Sequence, residues 1–172
     1  GPGNPPVVID RGYDLKDAAE QSIVAIASDN GILCDGDNLL LYPEDVEAEF
    51  FEEMRKAGAV IFDDAADVAK FRDALFQDGK VNPGLVGKDT EAAGYNIPEG
   101  TKVIGLKVEG VGKDDILGKE IMGPVVVLKS YDKFEDAVDM AIRNMEEDGG
   151  TGHTAGIFSN DEDHILYFGE KI

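Results

Sequence analysis

The sequence predicts an α/β fold, a three-layer architecture in which helices cover both faces of a largely parallel sheet. Two observations predict it. Short runs rich in β-branched and aliphatic residues, such as VVID (7–10), AVIF (59–62) and VVVLKSY (125–131), alternate with stretches whose apolar residues recur at helical spacing. That alternation runs from one end of the chain to the other, the order that β–α–β crossovers produce. Apolar residues make up 42% of the chain, enough to build a core, and no internal repeat interrupts the pattern.

Taken in order, VVID reads as a first strand. Asp14 is placed to cap a helix over about 15–28, with Leu15, Ala18, Ala19, Ser22, Ile23 and Ile26 on one face. The DNG at 29–31 ends it, Gly31 supplying a left-handed stop. NLLLY (38–42) reads as a strand. Pro43 suits a first helical turn, and EDVEAEFFEEMRKAG makes an amphipathic helix stopped by Gly58. AVIF reads as a buried strand, and a third helix follows over about 64–77 with Val68, Phe71, Leu75 and Phe76 as its stripe. NPGLVGKDTEAAGYN (82–96) reads as a short helix broken by glycines. TKVIGLKV (101–108) and VVVLKSY are strands. KFEDAVDMAIRNMEE (133–147) is a helix with Phe134, Ala137, Val138, Ala141, Ile142 and Met145 inward. TAGIFS (154–159) is a strand and DEDHILYFGEK a last helical segment.

Composition narrows the function. Thirty-six acidic residues face 16 basic ones, a net charge of −20, and no cluster of Lys and Arg is present to neutralise phosphates. Nucleic acid and anionic membrane surfaces are therefore not expected partners. No apolar run approaches the roughly 18 residues of a membrane span. The opening GPGNPPVVID lacks the basic and long apolar regions of a signal peptide. One cysteine and two histidines without ligand spacing give no metal site. A single cysteine makes no internal disulfide, and a reducing cytoplasmic setting is the expectation.

That cysteine, Cys34, sits in ASDNGILCDG, a polar segment bounded by Gly31 and Gly36. As a nucleophile it would have the access a reacting thiol needs, while the preceding helix C-terminus and the neighbouring Asp35 and Asp37 oppose its thiolate. As a structural residue it would be a small buried hydrophobe. His153, in GGTGHTAG, lies where glycines let the backbone approach another group closely. It reads either as a partner for a distant cysteine or as a polar loop residue. His164 falls in a charged helical stretch and reads as surface. Glu120, in GKEIMGPVVV, reads as an acceptor for ligand hydroxyls or as a turn carboxylate. No G-x-G-x-x-G follows a strand and no Walker-type loop occurs, so nucleotide binding would rest mostly on groups elsewhere.

In this order, GPGNPPVVID, ASDNGILC, KEIMGPVVV and GGTGHTAGIFS resemble the catalytic domain of the aldehyde dehydrogenase superfamily. The nearer likeness is to the CoA-acylating branch, where GxGNxP, DNGxxC and GxGHT occur together. The resemblance covers essentially the whole chain, 1–172, and implies a catalytic domain without the cofactor-binding domain or the C-terminal oligomerisation segment of such enzymes. It implies that Cys34 attacks an aldehyde, that hydride passes to NAD or NADP, and that coenzyme A takes the acyl group from a Cys34 thioester, reversibly. Glu120 matches the glutamate that accepts hydrogen bonds from a cofactor ribose, with Gly123 and Pro124 shaping the same segment. His153 matches the histidine of GxGHT, whose implied role is proton management near Cys34 or placement of CoA, the first being favoured. A bacterial enzyme is implied, a homo-oligomer when full length, cytoplasmic or inside a microcompartment.

Two other functions stay open. A hydrolytic aldehyde dehydrogenase would carry its water-activating glutamate just before Gly1, and a non-catalytic module would keep the fold alone. If a further domain packs on this one, an exposed sheet edge or apolar patch is expected where it docks.

Overall fold

In the computed structural model, which describes residues 2–92 and 94–172, three helices start where an aspartate side chain accepts from their free amides. The first strand, β1 (Pro6–Ile9), leads into helix α1 (Leu15–Ala27). The Asp14 carboxylate caps α1 by accepting from Lys16 N and Asp17 N. Strand β2 (Leu39–Pro43) is followed by a single 3₁₀ turn, Glu44–Val46, and by α2 (Glu47–Ala57), which Gly58 ends in the left-handed conformation. Next come β3 (Ala59–Phe62) and α3 (Ala65–Leu75), the latter capped by the Asp64 carboxylate. A small hairpin joins β4 (Phe76–Gln77) to β5 (Lys80–Val81), and then come β6 (Val103–Lys107) and β7 (Val125–Tyr131). Helix α4 (Phe134–Asp148), β8 (Gly156–Phe158) and α5 (Glu162–Lys171) complete the chain.

Six strands form one sheet in the order β3-β6-β7-β2-β1-β8, and every pairing in it is parallel. Successive side chains of a strand point to opposite faces, so each strand feeds two cores. Val7, Ile9, Leu40, Tyr42, Val126 and Leu128 meet Ile23 and Ile26 of α1 and Phe50 and Met54 of α2. On the other face, Val8, Leu41, Ile104, Leu106 and Val127 meet Phe71 of α3, Ala137 of α4 and Phe168 of α5. Each fully buried aliphatic or aromatic side chain contributes about 1.5–3 kcal/mol. The central strands are apolar on both faces for this reason, and β2 is buried at all five positions.

The sequence reading needs correction in five places. Pro43 is the last residue of β2 rather than the start of a helix, because the chain makes its 3₁₀ turn before α2 begins. The AVIF strand lies at the sheet edge, and only Ile61 in it is buried. The third helix stops at Leu75: Phe76 and Gln77 turn into the hairpin, whose corner is Asp78–Gly79, both with positive φ. The described part of 82–96 is a succession of turns and no helix; Ala93 lies outside the described residues. His164 is not a free surface residue. Its ring stacks on Phe134 at 3.9 Å between centroids, and its Nδ1 lies 2.8 Å from Oδ2 of the buried Asp10.

Candidate active site

Four of the sheet's strands are each preceded by one of the glycine-bearing segments singled out in the sequence. Gly3–Pro5 precede β1, Gly31–Asn38 precede β2, Glu120–Pro124 precede β7 and Gly149–Ala155 precede β8. Those strands are adjacent, in the order β7-β2-β1-β8, and parallel, so all four segments arrive at the amino end of the sheet. This is the opposite end from the usual ligand crevice of open α/β sheets.

There the segments touch through bare backbone. A Cβ on Gly3 would lie 1.8 Å from the Cys34 carbonyl oxygen, and one on Gly150 would lie 2.8 Å from the Gly3 carbonyl oxygen. A Cβ on Gly31 would lie 2.1 Å from the Gly123 carbonyl oxygen and 2.7 Å from Pro124 N. Only glycine allows contacts this close. The turn before Cys34 is unusual in its backbone: Asp29, Asn30 and Gly31 are all left-handed, at φ 48°, 54° and 70°. Asp and Asn tolerate that region better than other residues with a Cβ. Asn30 is further held by its Nδ2, which donates to Gly87 O at 3.2 Å.

Cys34 is exposed, so the buried-hydrophobe reading of it is set aside. Its amide N–H has no hydrogen-bond partner among the described residues. Glu120 is half-buried. Its Oε1 accepts from Gly3 N at 2.9 Å, its own N–H donates to Asp148 Oδ2 at 2.8 Å, and its Oε2 takes no hydrogen bond among the described residues. Gly123 and Pro124 shape the backbone against Gly31, after a Met122 that is itself left-handed at φ 57°. His153 is exposed and bonds through Nδ1 to Thr154 Oγ1 at 2.8 Å, not to Cys34. What the structure brings to Gly3, and so to the neighbourhood of Cys34, is the loop that carries His153. Gly1, the first residue of GxGNxP, lies outside the described residues.

A small cleft lies among these segments, lined by Asn4, Gly31, Leu33, Asp37, Glu120 and Gly123. Burial pushes the Asp37 carboxyl up to about 6; the Ser22 hydroxyl favours its charged form and Asp35 disfavours it. At neutral pH this carboxyl is still mostly ionised and opposes a Cys34 thiolate; its charge is largely removed only below about pH 6. No group of three or more His, Cys, Asp or Glu side chains is arranged to hold a metal among the described residues. No helix there is long and apolar enough to cross a membrane.

Sequence reasoning missed the buried amides beneath this site. Asn4, Asn38 and Asn144 are 0%, 7% and 1% exposed. Asn4 stands inside the quoted GxGNxP motif, but nothing local in the sequence distinguishes Asn38 or Asn144 from a solvated polar residue.

No family model matches the chain. Among curated proteins it is 42% identical, over 176 residues, to an acetylating succinate-semialdehyde dehydrogenase of Clostridium kluyveri, in a match that takes in the whole chain. The chain is thus similar, over its whole length, to acetylating members of the aldehyde dehydrogenase superfamily. It spans 39% of the length of that relative. A second relative, an aldehyde-alcohol dehydrogenase of Clostridium acetobutylicum, is 30% identical over 94% of the chain and 19% of its own length. The fold agrees with the family: a crystal structure of an acetylating aldehyde dehydrogenase from Geobacillus thermoglucosidasius superposes with a TM-score of 0.90, at 28% identity, over 98% of this chain and 38% of that one.

Proposed function

We propose that this chain is the thiol-bearing part of a CoA-acylating aldehyde dehydrogenase, which oxidises a short aldehyde to acyl-CoA with NAD or NADP and runs reversibly. The observation that carries the reading is the meeting of four segments at one end of the sheet around the exposed Cys34. The names of the relatives, acetylating dehydrogenases of succinate semialdehyde and acetaldehyde, support it. Because the chain spans about two fifths of the first of these, other parts of the enzyme hold most of the cofactor in this reading.

Cys34 acts as the nucleophile. Its thiolate forms a bond to the aldehyde carbon, and the carbonyl electron pair moves onto oxygen. The Cys34 N–H, without a partner among the described residues, is available to donate to that oxygen. A nicotinamide would supply the hydride acceptor, and the carbon held by Cys34 would give up its hydride as the oxygen's electron pair re-forms the carbonyl. This leaves a thioester on Cys34. The thiolate of CoA attacks the thioester, the C–Sγ bond breaks, and Cys34 leaves as thiolate again. Glu120 fits the cofactor's ribose: one carboxylate oxygen is fixed by Gly3 N–H and the other remains free to accept from a hydroxyl. His153, exposed on the loop that reaches Gly3, carries protons to and from solvent near the sulfur. The working enzyme is a homo-oligomer in the bacterial cytoplasm, free or inside a microcompartment.

The test is NADH formation by the intact enzyme from propanal and NAD, with and without CoA, beside Cys34→Ala. NADH that requires CoA and is lost in the variant is the expected result. NADH formed equally without CoA would mean a hydrolytic enzyme, and activity surviving in Cys34→Ala would remove Cys34 from the chemistry.

A further inference from the structure

Beside backbone bonds such as Asn38 N to Pro5 O, one side chain ties the Cys34 turn to the other site segments. Asn38, four residues beyond the thiol, is 7% exposed, and among the described residues its side-chain amide bonds to other segments alone. Its Nδ2 donates to Asn4 Oδ1 and, at 3.1 Å, to Lys119 O, while its Oδ1 accepts from Ile121 N at 3.3 Å. Asn4, fully buried, continues the chain of bonds. Its Nδ2 donates to Gly118 O at 2.6 Å and to Asn144 O at 3.3 Å. Because both partners of the Asn4 Nδ2 are carbonyl oxygens, the Asn4 amide cannot be turned over. Its Oδ1 must face Asn38, which must in turn present its NH₂. The two amides thus join four stretches: the one before β1, the one before β2, the Glu120 segment, and the end of α4 from which the His153 loop departs.

We propose that Asn38, acting through Asn4, is a positioning residue that holds the Cys34 turn in register with Glu120 and the His153 loop. The inference rests on Cys34 being the nucleophile. Asn38 touches no reacting atom. Its effect is to fix where the sulfur stands relative to groups on three other strands. Generic packing could be supplied by an apolar residue of similar volume, whereas this arrangement requires a donor aimed at two acceptors and an acceptor aimed at one donor.

The experiment uses the intact protein and the variants Asn38→Ala, Asn38→Asp and Asn4→Ala, each studied at a temperature where circular dichroism finds it folded. Two rates are followed by intact mass: acylation of Cys34 by propionyl-CoA and alkylation of Cys34 by iodoacetamide across pH. Asn38→Ala is expected to lower the limiting acylation rate at least about tenfold, with the half-saturating propionyl-CoA concentration changed less than about threefold. Asn4→Ala is expected to do the same, and the two losses not to add in the double variant. Asn38→Asp keeps the shape but turns a carboxylate toward two acceptors. It should be the slower of the two Asn38 variants at about pH 8 and recover part of its rate toward about pH 5, as the carboxyl regains a proton to donate. The alkylation profile should change with it. Variants that are folded, acylate at the parent rate and keep the parent alkylation profile would overturn the proposal. If the parent is alkylated but never acylated, the proposed function fails instead, and the alkylation comparison alone decides whether Asn38 positions the thiol.

Discussion

Replacing Gly3 by alanine adds one methyl group at the tightest point of the site. That Cβ would stand 1.8 Å from the Cys34 carbonyl oxygen, 2.7 Å from its carbon and 2.9 Å from its Cα, where real Cβ contacts essentially never fall below 3.0 Å. The gap must open by about 1.2 Å, the difference between 1.8 and 3.0 Å. All three obstructing atoms are backbone, so no side chain can swing away. Nor is either side loose. Gly3 is held by its N–H to Glu120 and by Gly150 behind it, and the Cys34 turn by Asn38 N donating to Pro5 O at 2.9 Å. A misplacement of about 1 Å can cost about 100-fold in rate, or about 2.7 kcal/mol of activation free energy. Overpacking adds about 1–3 kcal/mol of lost stability. The assay is the rate of Cys34 acylation by propionyl-CoA in the intact protein, with thermal unfolding alongside. Gly169→Ala is the control. Gly169 lies inside α5, where an added Cβ meets nothing within 4 Å, so the substitution should stabilise by about 0.5–1 kcal/mol and leave acylation alone. A Gly3→Ala protein acylated within about threefold of the parent rate would refute the reasoning, because the close approach would then not constrain the thiol.

Two further predictions concern titratable groups. Asp37, raised to about 6 by burial, holds its proton more tightly in the folded state than in the unfolded chain, where an aspartate titrates near about 3.9. Between those values the folded state binds more protons, so stability falls as pH rises from about 4 through about 6 and stays lower above. Asp37→Asn should therefore melt higher than the parent at about pH 8, by the equivalent of roughly 1–3 kcal/mol, and no higher below about pH 4; a difference constant across that range would count against it. At the other end of the sheet, Asp10 is 3% exposed and holds Ser159 Oγ at 2.6 Å, Arg11 N at 2.8 Å and His164 Nδ1 at 2.8 Å. His164→Ala removes one of these partners and the stack on Phe134, and should cost about 2–3 kcal/mol in urea unfolding with Cys34 alkylation unchanged. An unchanged urea midpoint would mean that the contact contributes nothing.

Much of the fold can be read from the sequence because its signals are local. Asp14 and Asp64 cap helices by bonding amides two and three residues on, Gly58 stops a helix by its own φ, and the apolar stripes of α1 and α4 repeat within a few turns. The hairpin after α3 has a local signal too, Asp78–Gly79, but the apolar spacing of the preceding helix runs through Phe76 and hides the point where the helix ends. The motif segments are legible as segments, and with them Cys34 as a candidate nucleophile, while its exposure came from the structure. Their meeting was not. It depends on β7, β2, β1 and β8 lying side by side and parallel, and strand order is a property of pairings between residues 33 to 149 positions apart. The same limit hid Asn4, Asn38, Asn144 and the docking of His164 on Asp10. A polar side chain looks alike in sequence whether it meets water or a buried partner, and only the packed structure, by removing the water, decides which bonds it must make.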